Sequence, residues 1–110
     1  MDDMLKNFFI GNFQFDNKIV EKSIINLAEK NTVGNEDSYC TYEKDDEDYK
    51  EGFVAVLFFE PFVKEDVVLY YENKIFYDEL FEFLKTLVDA STKMRELDAY
   101  LTKIRNDLNI

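Results

Sequence analysis

The residues best suited to chemistry in this sequence are carboxylates concentrated between residues 36 and 51. Eight acids and two lysines, Lys44 and Lys50, give this stretch a net charge of −6, while the other 94 residues share −5. Like charges packed this densely repel one another and lower the stability of the fold. We therefore expect a partner outside the chain to offset them. The eight acids are Glu36, Asp37, Glu43, Asp45, Asp46, Glu47, Asp48 and Glu51.

Tyrosines are interleaved with these acids, at positions 39, 42 and 49. Their rigid, amphipathic rings are of the kind that anchors protein interfaces. The pattern predicts an acidic, tyrosine-bearing sheet edge that binds a basic protein. The alternative is a solvated hairpin loop without a partner, which charge runs often form. The predicted contact residues are Glu36, Asp37, Tyr42, Glu43, Asp45, Asp46, Glu47, Asp48, Tyr49 and Glu51.

The same carboxylates supply the hard oxygen ligands that calcium and magnesium prefer. A calcium loop of the EF-hand type needs ligands at alternate positions, a glycine in mid-loop and a terminal glutamate, whereas residues 45–48 are consecutive acids. A catalytic pair of carboxylates needs a cleft and two differently tuned groups, and we find neither in so short a chain. The sequence therefore predicts no metal site, no cofactor and no catalytic residue.

The sequence contains no histidine and a single cysteine, Cys40. The missing histidine excludes the histidine-dependent serine and cysteine triads and most zinc sites. A lone cysteine forms no internal disulfide and suits a reducing compartment, and nearby acids oppose thiolate formation, so we expect a small core residue. The acidic N-terminus and the short apolar runs do not fit a signal peptide or a membrane span. These features predict a cytoplasmic protein that is not an enzyme.

Length and composition set the scale of the molecule. The 110 residues are 46% hydrophobic and include 11 Phe and 7 Tyr, which fits a single folded domain over residues 1–110 rather than a disordered chain. The net charge of −11 disfavours DNA, RNA and anionic lipid, because these ligands require cationic contacts. We expect a basic protein as the partner, no nucleic acid or membrane, and a monomer rather than a dimer.

Hydrophobic periodicity predicts the elements that must position the acidic stretch. After a short amphipathic lead-in, Asp16 is a candidate N-cap for a helix over residues 17–30. Strands are predicted over residues 39–42, 53–59 and 67–71. The middle strand is apolar on both faces, as expected of a central strand covered on both sides. Because the connections are short, the three strands should form an antiparallel meander.

Helical spacing returns at Phe76, with Asp78 and Glu79 placed to complement the start of a helix. Ser91 is a candidate second N-cap, and whether residues 76–108 form one bent helix or two stays open. A stripe in the last part should dock on a neighbouring element; it consists of Met94, Leu97, Leu101, Ile104 and Leu108. The predicted fold is α+β, with an N-terminal helix, a three-stranded antiparallel sheet and two C-terminal helices packed on the sheet.

The order of elements over about residues 50–90 resembles that of a known family. A buried strand is followed by Val67-Val68-Leu69-Tyr70-Tyr71 and then by a helix that opens Phe76-Tyr77-Asp78-Glu79-Leu80-Phe81-Glu82-Phe83-Leu84. This layout is similar to that of bacterial contact-dependent growth inhibition immunity proteins of the ribonuclease-toxin type. The resemblance implies a small acidic cytoplasmic protein that binds the toxin domain delivered by a neighbouring cell, blocks its RNA-cleaving site and has no catalysis of its own. Toxin-contacting residues vary widely in this family, so none is transferred.

Charge and resemblance together favour an immunity protein that neutralises a cationic ribonuclease toxin. The alternative is another acidic binding role, either a secretion chaperone or an inhibitor that mimics nucleic acid. A mimic should spread its carboxylates at phosphate-like intervals over a whole face, whereas here they are concentrated in one stretch. A third class, a small metal-dependent enzyme, would require tight binding of a divalent ion.

Overall fold

Two antiparallel sheets and five helices make up the part of the chain that the computed structural model describes, residues 1–61 and 63–110. The α+β class is therefore confirmed, although the number of elements differs from the prediction. In chain order the elements are α1 (Asp3–Asn12), β1 (Gln14–Phe15), β2 (Lys18–Ile19), α2 (Glu21–Ala28), β3 (Val33–Gly34), β4 (Ser38–Thr41), β5 (Phe53–Phe58), β6 (Val67–Glu72), α3 (Asn73–Lys85), α4 (Ala90–Glu96) and α5 (Asp98–Asp107).

The larger sheet has the strand order β3-β4-β5-β6, with every neighbouring pair antiparallel. The predicted meander of β4, β5 and β6 is confirmed, and β5 is a central strand with buried residues on both faces. The prediction of three strands is wrong, because the two-residue β3 adds a fourth beside β4. So short a strand has no periodicity of its own. It depends on Gly34, where a Cβ would overlap the Cβ of Tyr39 and lie 2.5 Å from the carbonyl oxygen of Ser38.

The core lies between one face of the larger sheet and the helices. Strand β5 contributes Val54, Val56 and Phe58 to it. The ring of Phe58 meets that of Phe8 in α1 edge-on, with centroids 6.4 Å apart and planes at 84°. Cys40 of β4 is fully buried here, as predicted, and burial raises the pKa of its thiol to about 12.

The N-terminal prediction is wrong in the position of the first helix. The amphipathic lead-in is itself helix α1, capped by the Asp2 carboxylate, which accepts a hydrogen bond from Leu5 N–H at 2.7 Å. Asp16 is not an N-cap: Asp16 and Asn17 have φ angles of 55° and 62° and form the two-residue turn between β1 and β2. Aspartate and asparagine tolerate these angles, which hairpin turns require. Helix α2 therefore begins at Glu21 instead of residue 17.

Three C-terminal helices are present where two were predicted. Helix α3 begins at Asn73, so Asp78 and Glu79 lie beyond its first turn, and Ser91 lies inside α4. The break before α4 is held by the hairpin, since the Asp89 carboxylate accepts from Ile19 N–H at 3.0 Å. Such a long-range contact leaves no local sequence pattern. Docking of the predicted stripe is confirmed: Met94 is half-buried, the stripe's other four residues are buried, and α5 packs against α2.

Candidate functional site

Residues 43–51, hereafter the acidic segment, connect β4 to β5 and adopt a series of turns. Asp46 N–H donates to the carbonyl oxygen of Glu43 at 3.0 Å, and Phe53 N–H donates to that of Lys50 at 3.1 Å. The carboxylate of Asp46 accepts a further bond from Asp48 N–H at 2.8 Å. These local bonds give the segment a defined backbone, so its carboxylates project from fixed positions.

The larger sheet has a second face, on the side opposite the helical core. Residues paired directly across antiparallel strands point to the same side of a sheet, so the register defines this outer face. Thr41, Ala55 and Leu57 are 3%, 1% and 9% exposed although they point away from the core. Another part of the chain must therefore cover them. The outer face comprises Tyr39, Thr41, Phe53, Ala55, Leu57, Val68, Tyr70 and Glu72.

The acidic segment folds back over this outer face. The hydroxyl of Tyr70 in β6 donates to the carbonyl oxygen of Asp48 at 2.9 Å. The ammonium of Lys50 lies 4.5 Å from the ring centroid of Phe53 and 5.2 Å from that of Tyr70. The prediction of an acidic sheet edge is therefore wrong. Strands β4 and β5 are neighbours inside the sheet, and their connection lies across its surface.

Tyr39 of β4 marks the other end of this contact. Burial, and after it the negative charges of Asp46, Asp48 and Glu47, raise the pKa of the Tyr39 hydroxyl. The Tyr39 ring also stacks on Phe59, with centroids 5.6 Å apart and planes at 28°. The acids at positions 46–48 thus lie close to the stacked rings of Tyr39 and Phe59, which form a rigid surface beneath them.

None of the eight acids between residues 36 and 51 forms an ion pair within the part of the chain that the structure describes. The ion pairs lie on the helices, for example Lys74 with Asp78 and Lys103 with Asp107, each at 2.6 Å. Lys50, inside the acidic stretch, points its charge at aromatic rings. The charge of the stretch is therefore not neutralised by these residues.

The structure places most of the predicted contact residues at or near the surface. Glu36 and Asp37 lie in the turn between β3 and β4, where Asp37 N–H donates to the Asn35 side chain at 2.8 Å. The acidic segment follows β4, but its residues 46–48 lie close to Tyr39, which is two positions from Asp37 in the sequence. Both acidic groups therefore flank the same outer face. Exposed members are Glu36, Asp37, Asp45, Glu47 and Glu51, and half-buried members are Glu43, Asp46, Asp48 and Tyr49.

Tyr42 is placed differently from the other predicted contact residues. Its side chain belongs to the core, is 8% exposed, and donates its hydroxyl hydrogen to the carbonyl oxygen of Leu27 at 2.7 Å. A side chain buried to this extent offers a partner little surface. We therefore assign Tyr42 to the anchoring of the segment's first residue and leave it out of the contact surface.

An open groove of about 710 Å³ lies where the acidic segment meets the start of α3 and the end of α5. Tyr49, Phe53 and Lys44 line it, together with Asn73. The Asn73 amide donates to the carbonyl oxygen of Leu108 at 3.1 Å, but its buried Oδ1 has no hydrogen-bond partner in the described structure. A buried acceptor without a donor costs roughly 1–3 kcal/mol, so this oxygen reduces the stability of the fold beside the groove.

Sequence reasoning named Tyr39 beside the acids but left it out of the contact residues, and it missed the roles of Lys50, Tyr70 and Asn73 in this site. The parity of strand positions would have placed Tyr39 and Tyr70 on one face once the register was known, but the register depends on the turns. The fold-back of the segment and the position of Asn73 have no local signature. The bond between Tyr70 and Asp48 joins residues 22 positions apart, and that between Asn73 and Leu108 joins residues 35 positions apart.

Over residues 1–61 and 63–110, no group of three or more cysteine, aspartate and glutamate side chains is placed to hold a metal ion. The helices in this part of the chain are too short or too polar to cross a membrane. Comparisons of the chain with protein-family models, curated proteins and solved structures found no match.

Proposed function

We propose that this protein is a cytoplasmic immunity protein that binds a cognate cationic ribonuclease toxin domain and occludes its active site, without catalysis of its own. The observation that carries this proposal is the set of unpaired carboxylates held over the outer sheet face. They are fixed by turns and backed by aromatic rings, and no cation of the described chain neutralises them.

The chemistry of the two surfaces is complementary. A ribonuclease displays lysine and arginine side chains where it holds the phosphates of RNA. Carboxylates projecting from a fixed backbone can occupy those same positions. Because the acidic segment is already ordered by its own hydrogen bonds, little conformational entropy is lost when a partner binds.

The acidic surface would also increase the rate at which the two proteins associate. Opposite potentials accelerate encounter, up to ~10⁸–10⁹ M⁻¹s⁻¹ at low ionic strength. A protective protein benefits from such a rate, because the toxin must be captured before it cleaves its target. Contacts to the half-buried Tyr49 and to Tyr70 would then slow dissociation, which is where most affinity differences among related complexes lie.

Co-expression tests the proposal directly. The candidate toxin is the nuclease-like C-terminal domain of any large secreted protein that the gene immediately upstream encodes, and growth of the bacterial host reports neutralisation. We expect rescue by the natural protein and weakened rescue by D45N/D46N/E47Q/D48N, the segment variant. The matched control is D3N/D16N/E29Q/D98N, which also removes four unpaired acids but leaves the acidic segment intact.

The control separates local from global charge. Both variants change the net charge from −11 to −7, so a specific acidic surface predicts that only the segment variant loses protection. Full rescue by the segment variant would remove the acidic segment from the interface. Equal loss in both variants would show that only overall charge matters.

A further inference from the structure

Strand β6 is an edge strand of the larger sheet. It pairs with β5 over six consecutive residue pairs without a bulge, and in the sheet order no strand follows it. Val67 and Tyr70 of this strand are each 37% exposed. An exposed strand edge presents unpaired backbone groups, which makes it a template for another strand.

The register identifies which backbone groups of β6 are free. Asn73 N–H donates to the carbonyl oxygen of Gly52 at 3.0 Å, one position beyond the last strand pair. In an antiparallel ladder every second pair exchanges both hydrogen bonds. The β6 residues that bond to β5 are therefore Val67, Leu69 and Tyr71. The N–H and C=O groups of Val68 and Tyr70 point away from β5, and the described structure gives them no backbone partner.

Natural proteins usually protect such edges with lysine, proline, a bulge or a covering element. The residues of β6 before its last position are Val67-Val68-Leu69-Tyr70-Tyr71, without a charge or a proline. Only Glu72, at the end of the strand, is charged. The edge is therefore apolar, regular and unprotected at the very place where the outer face meets solvent.

We infer that β6 accepts an antiparallel strand of the cationic partner, so that the sheet continues across the interface. This inference rests on the proposed function, because the acidic segment selects a partner by charge. The side chains of Val68 and Tyr70 lie on the outer face, and the Tyr70 hydroxyl is bonded to the backbone of Asp48. Residues of the added strand opposite Val68 and Tyr70 lie on that same face, beside the acidic segment.

The position of the acidic segment defines the chemistry of the added strand. In the added strand, the residues opposite Val68 and Tyr70 are lysine or arginine, which face the carboxylates. The alternate residues of the added strand, opposite Val67, Leu69 and Tyr71, lie on the core side of the sheet and are apolar. Lys50 adds one positive charge near Tyr70, but residues 43–51 still hold six acids against two lysines.

A second copy of this chain suits the edge poorly. Antiparallel pairing of β6 with itself would place two acidic segments on the same face of a continuous sheet. Each chain carries a net charge of −11, and like charges brought together on one surface repel. Charge complementarity therefore favours a basic strand over a homodimer.

Synthetic peptides test this inference with the intact protein. The probe is an eight-residue peptide that alternates lysine and valine, titrated while amide hydrogen exchange is followed by NMR. We expect exchange at Val68 and Tyr70 to slow about tenfold or more on binding. Two further peptides have the same composition and charge but carry backbone N-methyl groups, either on every lysine or on every valine.

Strand addition predicts opposite results for the two methylated peptides. Lysines that face the acidic segment turn their backbone N–H groups toward β6, so methylation of the lysine amides should weaken binding about tenfold or more, whereas methylation of the valine amides should leave it within about twofold. Equal binding of both, no binding of the unmethylated peptide, or unchanged exchange at Val68 and Tyr70 would overturn the inference.

Other outcomes separate this inference from the proposed function. If both methylated peptides bind natural protein equally but the segment variant binds neither, strand addition is wrong and the acidic surface remains the contact. If the segment variant binds the unmethylated peptide as tightly as natural protein does, the proposed function is contradicted. Concentration-dependent protection of Val68 and Tyr70 without peptide would assign the edge to a second copy and overturn the inference.

Discussion

At the scale of single residues, Cys40 is the side chain whose chemistry the fold changes most. It is fully buried, and burial raises the pKa of its thiol from 9.0 to about 12. Between these values the folded protein keeps a proton that the unfolded chain has lost. The folded state then binds more protons than the unfolded state, so the free energy of unfolding falls as pH rises through this window.

Two measurements on Cys40 follow from this burial. We expect no reaction of the native protein with a disulfide reagent near pH 8 and complete reaction once it is unfolded. The free energy of unfolding should be lower near pH 10.5 than near pH 8, and Cys40→Ala should reduce this loss without abolishing it. Part of the loss remains because burial also raises the pKa values of Tyr42 and Tyr71. Rapid labelling of the native thiol would contradict this placement.

Tyr42 and Tyr49 provide a matched pair of substitutions. Tyr42→Phe deletes the hydrogen bond to the Leu27 carbonyl oxygen, so we expect a loss of about 1 kcal/mol in the free energy of unfolding, measured by urea denaturation. Tyr49→Phe should leave stability unchanged. If Tyr42→Phe loses stability but associates with a partner at the normal rate, Tyr42 is a structural residue and not a contact residue. A large loss of association in Tyr42→Phe with normal stability would return Tyr42 to the contact surface.

Sequence alone cannot distinguish these two tyrosines. Both stand beside acids, and the direction of each ring depends on where β4 ends and the acidic segment turns. The charge density and its location were predictable from the sequence, because they are properties of composition along the chain. The acids that would face a partner could not be predicted, because their placement depends on how the acidic segment folds back, and the bond between Tyr70 and Asp48 holds this fold-back in place.

At the scale of elements, Gly34 in β3 and Gly52, just before β5, are required for different reasons. At Gly34 a side chain would overlap Tyr39 of the neighbouring strand, whereas at Gly52, with φ of 86°, nothing lies within 4 Å of the added Cβ. We expect Gly34→Ala to destabilise by roughly 2 kcal/mol or more through steric overlap, and Gly52→Ala by about 1 kcal/mol through backbone strain alone. Urea denaturation distinguishes them. Equal effects would show that β3 does not pair as described.

Local sequence patterns correctly predicted the elements that have a clear hydrophobic periodicity of their own. Strand β5, the meander and the stripe from Leu97 to Leu108 belong to this class. The errors fall where tertiary contacts decide: Asp16 forms a hairpin turn instead of a cap, and Asp89 bonds to Ile19. The position of the acidic segment, across a face instead of along an edge, belongs to this second class.

At the scale of the whole molecule, the unpaired acids reduce stability in the free protein. Removing four of them in the segment variant should raise the melting temperature by about 2–5 °C, because like-charge repulsion falls. The control variant should gain less, since Asp3 and Asp98 lie in the first turns of α1 and α5, where carboxylates are favourable. Thermal unfolding at low ionic strength measures the difference. A lower melting temperature of the segment variant would mean that its carboxylates stabilise the fold.

The rate of association with the proposed toxin partner tests the acidic surface most directly. Stopped-flow mixing at several salt concentrations should show the segment variant associating about tenfold or more slowly than natural protein at low salt, with a flatter dependence on ionic strength. The control variant, with the same net charge, should stay within about threefold of natural protein. Unchanged association of the segment variant, or equal slowing in both, would contradict the role proposed for the acidic segment as the surface that receives a cationic partner.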